Sequence, residues 1–493
     1  MGRRSAGILL HPTSLPGPGG LGGEARNFID FLSNTGITAW QMLPPGPVGP
    51  GNSPYASRSA FACDPLLISL ERLAETGLLD ARLDFSPMDA SPHRLDYERQ
   101  REHREPLLRA AFTEFLACGG EARLEGFVLT NAWAAGYARF AALRELSNEP
   151  WWRWPERFHD PLEVPADEGT ALGDEVRYHL FLQWAAGEHW DALRDYARKR
   201  GVLLYGDVPI FVDLDSADAW LNQPLFKLDA EGHPEVIAGV PPDAFAATGQ
   251  RWGNPHYDWK AMRETGFGWW CDRMRRTFEL FDSVRIDHFR GFEAAWEIPA
   301  DDPTAVNGHW EPGPGRELFD VLAAKLGPLP IIVEDLGLIT PKVRALRDEL
   351  GYPGMAVLQF AFGDDDRNPY LPHNQVQNQV VFTGTHDNDT TLGWYLHAPE
   401  YERDHVRRYL SIDGEEIVDD LIACAFRSTS DTAIIPMQDV LALGSEARMN
   451  MPGIGEGNWS WRFTWDQLWP GRPDWLAQIV RDTGRHPAEA PAK

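Results

Sequence analysis

Residues 282–288 read Asp282-Ser283-Val284-Arg285-Ile286-Asp287-His288, a short β-branched apolar run that closes on an arginine, an aspartate and a histidine. A run this short, bounded by charge, suits a strand covered on both faces. Arg285 and Asp287 are two apart, so a strand turns both to one face and Val284 and Ile286 to the other. A second run of this kind, PIIVED at 330–335, follows one helical stretch later and ends on Glu334 and Asp335.

Six more runs complete the pattern: 6–11 (AGILLH), 38–43 (TAWQML), 202–208 (VLLYGDV), 355–360 (MAVLQF), 380–386 (VVFTGTH) and 433–437 (AIIPM). Eight buried strands with helical pattern between them predict a (β/α)8 TIM barrel, one catalytic unit over 1–493; a doubly wound sheet would leave a similar trace. Between the second and third runs lie roughly 160 residues, far more than a loop needs. FVLTNAWAAGYARFAALREL (127–146) and EVRYHLFLQWAAGEHWDALRDYARKRG (175–201) are helical in pattern, so 64–180 is expected to be a mostly helical insertion whose final helix belongs to the barrel. Smaller insertions at 213–262 and 291–326 are expected to shape a cleft at the carboxyl ends of the strands. The end, RHPAEAPAK (485–493), reads as a loose tail.

Lys and Arg total 46 against 73 Asp and Glu, a formal charge of −27. Such a surface repels phosphate backbones and anionic membranes, so neither nucleic acid nor a membrane is an expected partner. Twenty tryptophans favour a carbohydrate ligand mildly, because indole stacks on the apolar face of a sugar, although most should fill the core. Cys63, Cys118, Cys271 and Cys424 are scattered and read as reduced structural residues. The apolar run near the start is shorter than the ~7–15 residues of a signal peptide. No stretch nears the ~18 apolar residues of a membrane span. The cytoplasm is the expected location, and the Asn-X-Ser/Thr triplets at Asn388 and Asn458 then carry no glycan.

Polar clusters sit on four strand ends: Asp207 in YGD; Arg285, Asp287 and His288; Glu334 and Asp335; and His386, Asp387 and Asp389 in GTHDND. In a barrel these ends face one pocket. A lone Asp there more often caps a helix. Four clusters in register with four strands are harder to dismiss, since gathered carboxylates disfavour one another's charge unless they are bonded or used. Glycosidic cleavage needs two carboxyl groups, about 5–5.5 Å apart in retaining enzymes. Adjacent strands could hold Asp287 and Glu334 at that spacing. Glu334 would need a raised pKa to keep its proton, and Arg285 would keep Asp287 ionised.

Other motifs compete. Gly17-Pro-Gly19-Gly-Leu-Gly22 matches G-x-G-x-x-G between a strand and a helix, but no acidic residue closes the next strand, and Pro16 and Pro18 suit a rigid loop. His386 with Asp387 could be a metal pair, yet no further ligands come at metal spacing, so no metal is expected. WWRWPERF (151–158) and WSWRFTWDQLW near the C-terminus read as packing more readily than as sugar platforms.

The segments VRIDHFRGF, VEDLG and THDNDT resemble the α-amylase clan. The longer blocks WQMLPPGPVGPGNSPYASRSAFACDPLLI, YGDVPIFV, GVPPDAFAATGQRWGNPHYDW and YPGMAVLQFAF are similar to the 4-α-glucanotransferase (amylomaltase) family. Together they cover about residues 7–462. The resemblance implies retaining transfer of α-1,4-glucan segments between malto-oligosaccharides and starch or glycogen fragments, with an α-amylase-like hydrolase on the same residues as the alternative. It implies Asp287 as nucleophile, Glu334 as acid/base and Asp387 as the group that binds the distorted sugar's hydroxyls. Tyr55, Asp207, Arg285 and His386 would surround the same sugar, and Gln250 and Trp252 would belong to a loop over the acceptor. It implies no metal or organic cofactor, and a monomer is the expected state. Family members usually carry Tyr where this chain has Ala244, beside Phe245, and often Asp where it has Asn52. The lost ring bears on how well water is kept from the glycosyl-enzyme.

Overall fold

The computed structural model describes residues 4–85, 90–162, 170–242 and 246–486. Twelve strands run along them: β1 (Ser5–Leu9), β2 (Ala39–Gln41), β3 (Leu203–Pro209), β4 (Val236–Val240), β5 (Gln250–Pro255), β6 (Ser283–Asp287), β7 (Ala294–Pro299), β8 (His309–Pro312), β9 (Ile331–Val333), β10 (Gly354–Val357), β11 (Gln379–Phe382) and β12 (Thr432–Pro436). Eight form one parallel sheet in the order β10-β11-β12-β1-β2-β3-β6-β9. The order follows the chain around a ring, with no switch point, so the sheet is a barrel and not a doubly wound layer. Its seam lies between β9 and β10. There Val333 N–H donates to Pro353 O at 3.0 Å, and Met355 N–H to Asp335 Oδ1 at 2.8 Å.

The wall follows from the strand pattern. Val284 and Ile286 are fully buried against the helical layer, and alternation turns Arg285 and Asp287 inward. The first helix, Gly23–Thr35, buries Ala25, Phe28, Ile29 and Leu32 at helical spacing and stops at Gly36, whose φ of 76° ends it in a left-handed cap. Five of the tryptophans, Trp40, Trp151, Trp190, Trp220 and Trp270, are among the largest fully buried side chains. Trp151 and Trp154 pack with Trp220 and Phe140 in a separate small core, so their segment is packing material.

Between β2 and β3 stand helices at Leu70–Glu75, Tyr97–Ala117, Gly120–Thr130, Trp133–Ser147 and Ala171–Lys199. The last is tied to the barrel: Trp190 Nε1 donates to Leu280 O at 2.8 Å, and Arg194 and Arg198 pair with Asp282 at the foot of β6. The segments after β3 and β6, read from the sequence as separate insertions, meet in one antiparallel sheet of order β5-β4-β7-β8. Gly239 is required there, because a Cβ would stand 2.1 Å from the Gln250 carbonyl oxygen. Ala244 and Phe245 lie outside the described residues.

Arg485, assigned by the sequence reading to the loose tail, is buried at 1% exposure. Its guanidinium donates to the carbonyls of Ser5, Phe426, Ser428, Ser430 and Asp431, bonds that composition alone does not reveal. Residues 487–493 lie outside the described residues. Among the described residues no helix is long and apolar enough to cross a membrane.

Candidate active site

Parallel pairing sets the site. Asp207 on β3 stands in register with Arg285 on β6, and parallel neighbours in register share a face. Arg285 Nη1 therefore reaches Asp207 Oδ2 at 2.5 Å, while Nη2 reaches Asp287 Oδ1, two residues along its own strand, at 2.5 Å. One buried guanidinium joins two carboxylates. Tyr55, from the loop after β2, donates its hydroxyl to the same Asp207 Oδ2 at 2.9 Å. Burial pushes the Asp207 carboxyl above its ordinary range, and the contacts to Arg285 and Tyr55 oppose that push. The two carboxylates hold the Arg285 guanidinium firmly charged.

On the other side of β6, Val284, Arg285 and Ile286 pair with Ile331, Ile332 and Val333. Continued by one residue, that register sets Glu334 opposite Asp287, and Glu334 N–H does donate to Ile286 O at 2.9 Å. Strand neighbours lie about 5 Å apart. Glu334 accepts from the His288 N–H at 2.9 Å through Oε2 and from the Leu336 N–H at 2.7 Å through Oε1. His288 makes its bond from the left-handed region, φ 51°, which costs a β-carbon residue energy and is more common near active sites than elsewhere. Burial first, and the charge of Asp287 second, push the Glu334 carboxyl up to about 7, with Arg285 and the Leu336 N–H pulling the other way. Asp335 faces away. It bonds Met355 N–H and pairs with Arg347 at 2.6 Å, so it closes the barrel seam.

The 383–390 loop brings the third cluster. Asn388 Oδ1 accepts from the Thr385 N–H at 2.9 Å and the Thr385 hydroxyl at 2.8 Å, a local turn that fixes the loop. His386 is buried and lies flat on Tyr55, ring centroids 5.0 Å apart and planes 14° apart. Its Nε2 is 3.3 Å from Asp387 Oδ1. Asp389 does not join Asp387; it accepts from Thr390 N–H at 2.8 Å and Ser445 Oγ at 2.7 Å.

Trp252 on β5 meets the His288 ring edge-on at 4.8 Å and donates to Gln250 Oε1 at 3.1 Å, both residues standing exposed at the rim. Burial takes the His288 imidazole down to about 4, so it is neutral near pH 7. Asn52 has a φ of 56°, a conformation that Asn adopts more readily than most residues, and its Oδ1 accepts from Arg101.

Two contributors, Asn450 and Arg448, were not read from the sequence, and a third, Trp459, opens the WSWRFTWDQLW stretch that the sequence reads as packing. Asn450 Nδ2 donates to Asp387 Oδ1 at 2.6 Å, Arg448 Nη2 donates to Asp387 O at 2.6 Å, and the Trp459 ring packs on both Tyr55 and His386 at 5.9 Å. All lie in RMNMPGIGEGNW after the last strand, where the glycine and proline content signals a loop but not its destination.

A closed parallel barrel with carboxylates converging on the carboxyl ends of β3, β6, β9 and β11 is the arrangement of a (β/α)8-barrel enzyme. A sequence profile described as 4-alpha-glucanotransferase matches residues 10–467. The 4-alpha-glucanotransferase of Thermus thermophilus is 48% identical, over 98% of this chain and 99% of its own. That of Synechocystis is 47% identical, over 96% of each. Among solved structures, the amylomaltase of Streptococcus agalactiae in complex with acarbose superposes with a TM-score of 0.95 at 36% identity, over 98% of this chain and 100% of that one. The chain belongs to the 4-alpha-glucanotransferase family.

Proposed function

We propose that this family member moves α-1,4-glucan segments between malto-oligosaccharides, or starch and glycogen fragments, with retention of configuration through a covalent intermediate on Asp287. Glu334 gives its proton to the glycosidic oxygen as an Asp287 oxygen bonds to C1 and the reducing-end fragment leaves. The 4-hydroxyl of a second sugar then attacks C1, loses its proton to Glu334 and frees Asp287. Asp387 binds ring hydroxyls of the distorted sugar, and Tyr55, Asp207 and His386 frame it. Gln250 and Trp252 stand on the acceptor side.

One observation carries this reading. Asp287 and Glu334 face each other across adjacent strands in opposite electrostatic settings, the first bonded to a fixed guanidinium and the second pushed towards its neutral form. Two experiments test it. Glu334→Gln incubated with α-maltosyl fluoride, then digested, should give a peptide carrying maltosyl on Asp287; turnover with no adduct there, or products of inverted anomeric form, would overturn retention through Asp287. Wild type with maltotriose should give glucose plus a ladder of longer chains, and a digest with shorter sugars only would make the enzyme a hydrolase.

A further inference from the structure

Asp387 stands on the loop that follows Phe382, the last residue of β11, with its side chain 46% exposed. A carboxylate so placed has several rotamers open to it, so whatever holds it decides how often it meets the substrate correctly. His386 Nε2, on the same loop, stands 3.3 Å from Asp387 Oδ1, and the shorter contact to that oxygen comes from off the barrel. Asn450, only 9% exposed, gives its amide N–H to Asp387 Oδ1 at 2.6 Å. Arg448 binds the two backbones together, donating from Nη2 to Asp387 O at 2.6 Å and from Nε to Asn450 O at 2.7 Å. The amide thus occupies Oδ1, and among the described residues no group donates to Oδ2.

We propose that Asn450, fixed by Arg448, is a positioning residue for Asp387, leaving Oδ2 as the oxygen that takes the sugar's hydroxyl. The segment after the last strand then supplies the hydrogen bond that sets the third carboxylate. The proposal rests on the reading of Asp387 as the group that binds the distorted sugar. It differs from a substrate contact in what it moves. A lost contact to bound substrate raises KM, whereas a misplaced Asp387 lowers kcat and leaves ground-state binding alone.

The test is maltotriose disproportionation by Asn450→Ala and Asn450→Asp beside Asp387→Asn, with thermal melting to confirm folding. For Asn450→Ala the expected result is a kcat lower by roughly 10–100-fold with KM within about twofold. Asn450→Asp should be weaker still at neutral pH, where the new carboxylate repels Asp387. Its activity relative to Asn450→Ala should rise as pH falls, because the protonated carboxyl regains a donor for Oδ1. An unchanged kcat in Asn450→Ala, or a raised KM with kcat kept, overturns the proposal. If Asn450→Ala does not fold, Asn450→Ser takes its place under the same criteria. Wild-type kcat in Asp387→Asn would instead sink the reading of Asp387 itself, so the two failures are distinct.

Discussion

Two backbone N–H groups favour the charged form of Glu334, while burial and Asp287 favour the neutral one, and the contest settles at about 7. In the proposed reaction Glu334 carries its proton into the first step, and that form is lost as pH rises through this value. The expected kcat/KM of the free enzyme therefore falls above about pH 7. Glu334→Gln should abolish that alkaline limb and slow maltotriose turnover by about 10²–10⁴-fold. A limb that survives the substitution would assign the titration to another group. The same shift has a stability sign. The folded state holds this proton more tightly than the unfolded chain, so Glu334 stabilises the fold at low pH and loses that contribution as pH rises from 4.5 through about 7. Melting of the unliganded enzyme should show Glu334→Gln gaining on wild type across that window.

At the scale of elements, the seam between β9 and β10 is narrow, and Asp335 supplies part of it. Gly354, the first residue of β10, has no room for a methyl group: a Cβ would lie 2.4 Å from Asp335 Oδ2 and 2.8 Å from Oδ1. Gly354→Ala should cost about 1–3 kcal/mol. It should also lower activity, because displacing Asp335 disturbs its neighbour Glu334; denaturant midpoints and kcat on one preparation would show both, and an unaltered midpoint would mean that the seam yields freely. The barrel strands were legible because strands buried on both faces leave short apolar runs that close on charge, and DSVRIDH and PIIVED carry the site on those ends. The β5-β4-β7-β8 sheet was not. VIAGV and QRWGNP are short and interrupted by glycine, and the strand that joins VIAGV on its other edge, β7, lies more than fifty residues further along the chain. Asn450 and Arg448 escaped for a related reason, since a loop's contacts follow no periodicity.

For the molecule as a whole, the ends of the described chain are bound together. Arg4 donates to the carbonyls of Phe426, Ser428 and Thr483, and Arg485 to five carbonyls on either side of the β1–β12 junction. Arg485→Ala removes those donors without touching the site. It should cost about 2–4 kcal/mol, seen as a lower urea midpoint, with kcat of the folded fraction unchanged. A kcat that fell in proportion to stability would show that the floor of the barrel and its mouth are coupled.

The pairing of β1 with β12, Ser5 opposite Thr432, also has a consequence for how the molecule is made. On the ribosome, β1 emerges long before β12 and finds β2 early, but its other edge stays open until Thr432–Pro436 has been translated. An open strand edge is a template for pairing with a neighbouring chain. The cell's exposure to aggregation of this protein is therefore concentrated in the interval of synthesis itself. Arg448 and Asn450 leave the ribosome later still, so the contacts they make to Asp387 form only once β12 and the segment after it have emerged.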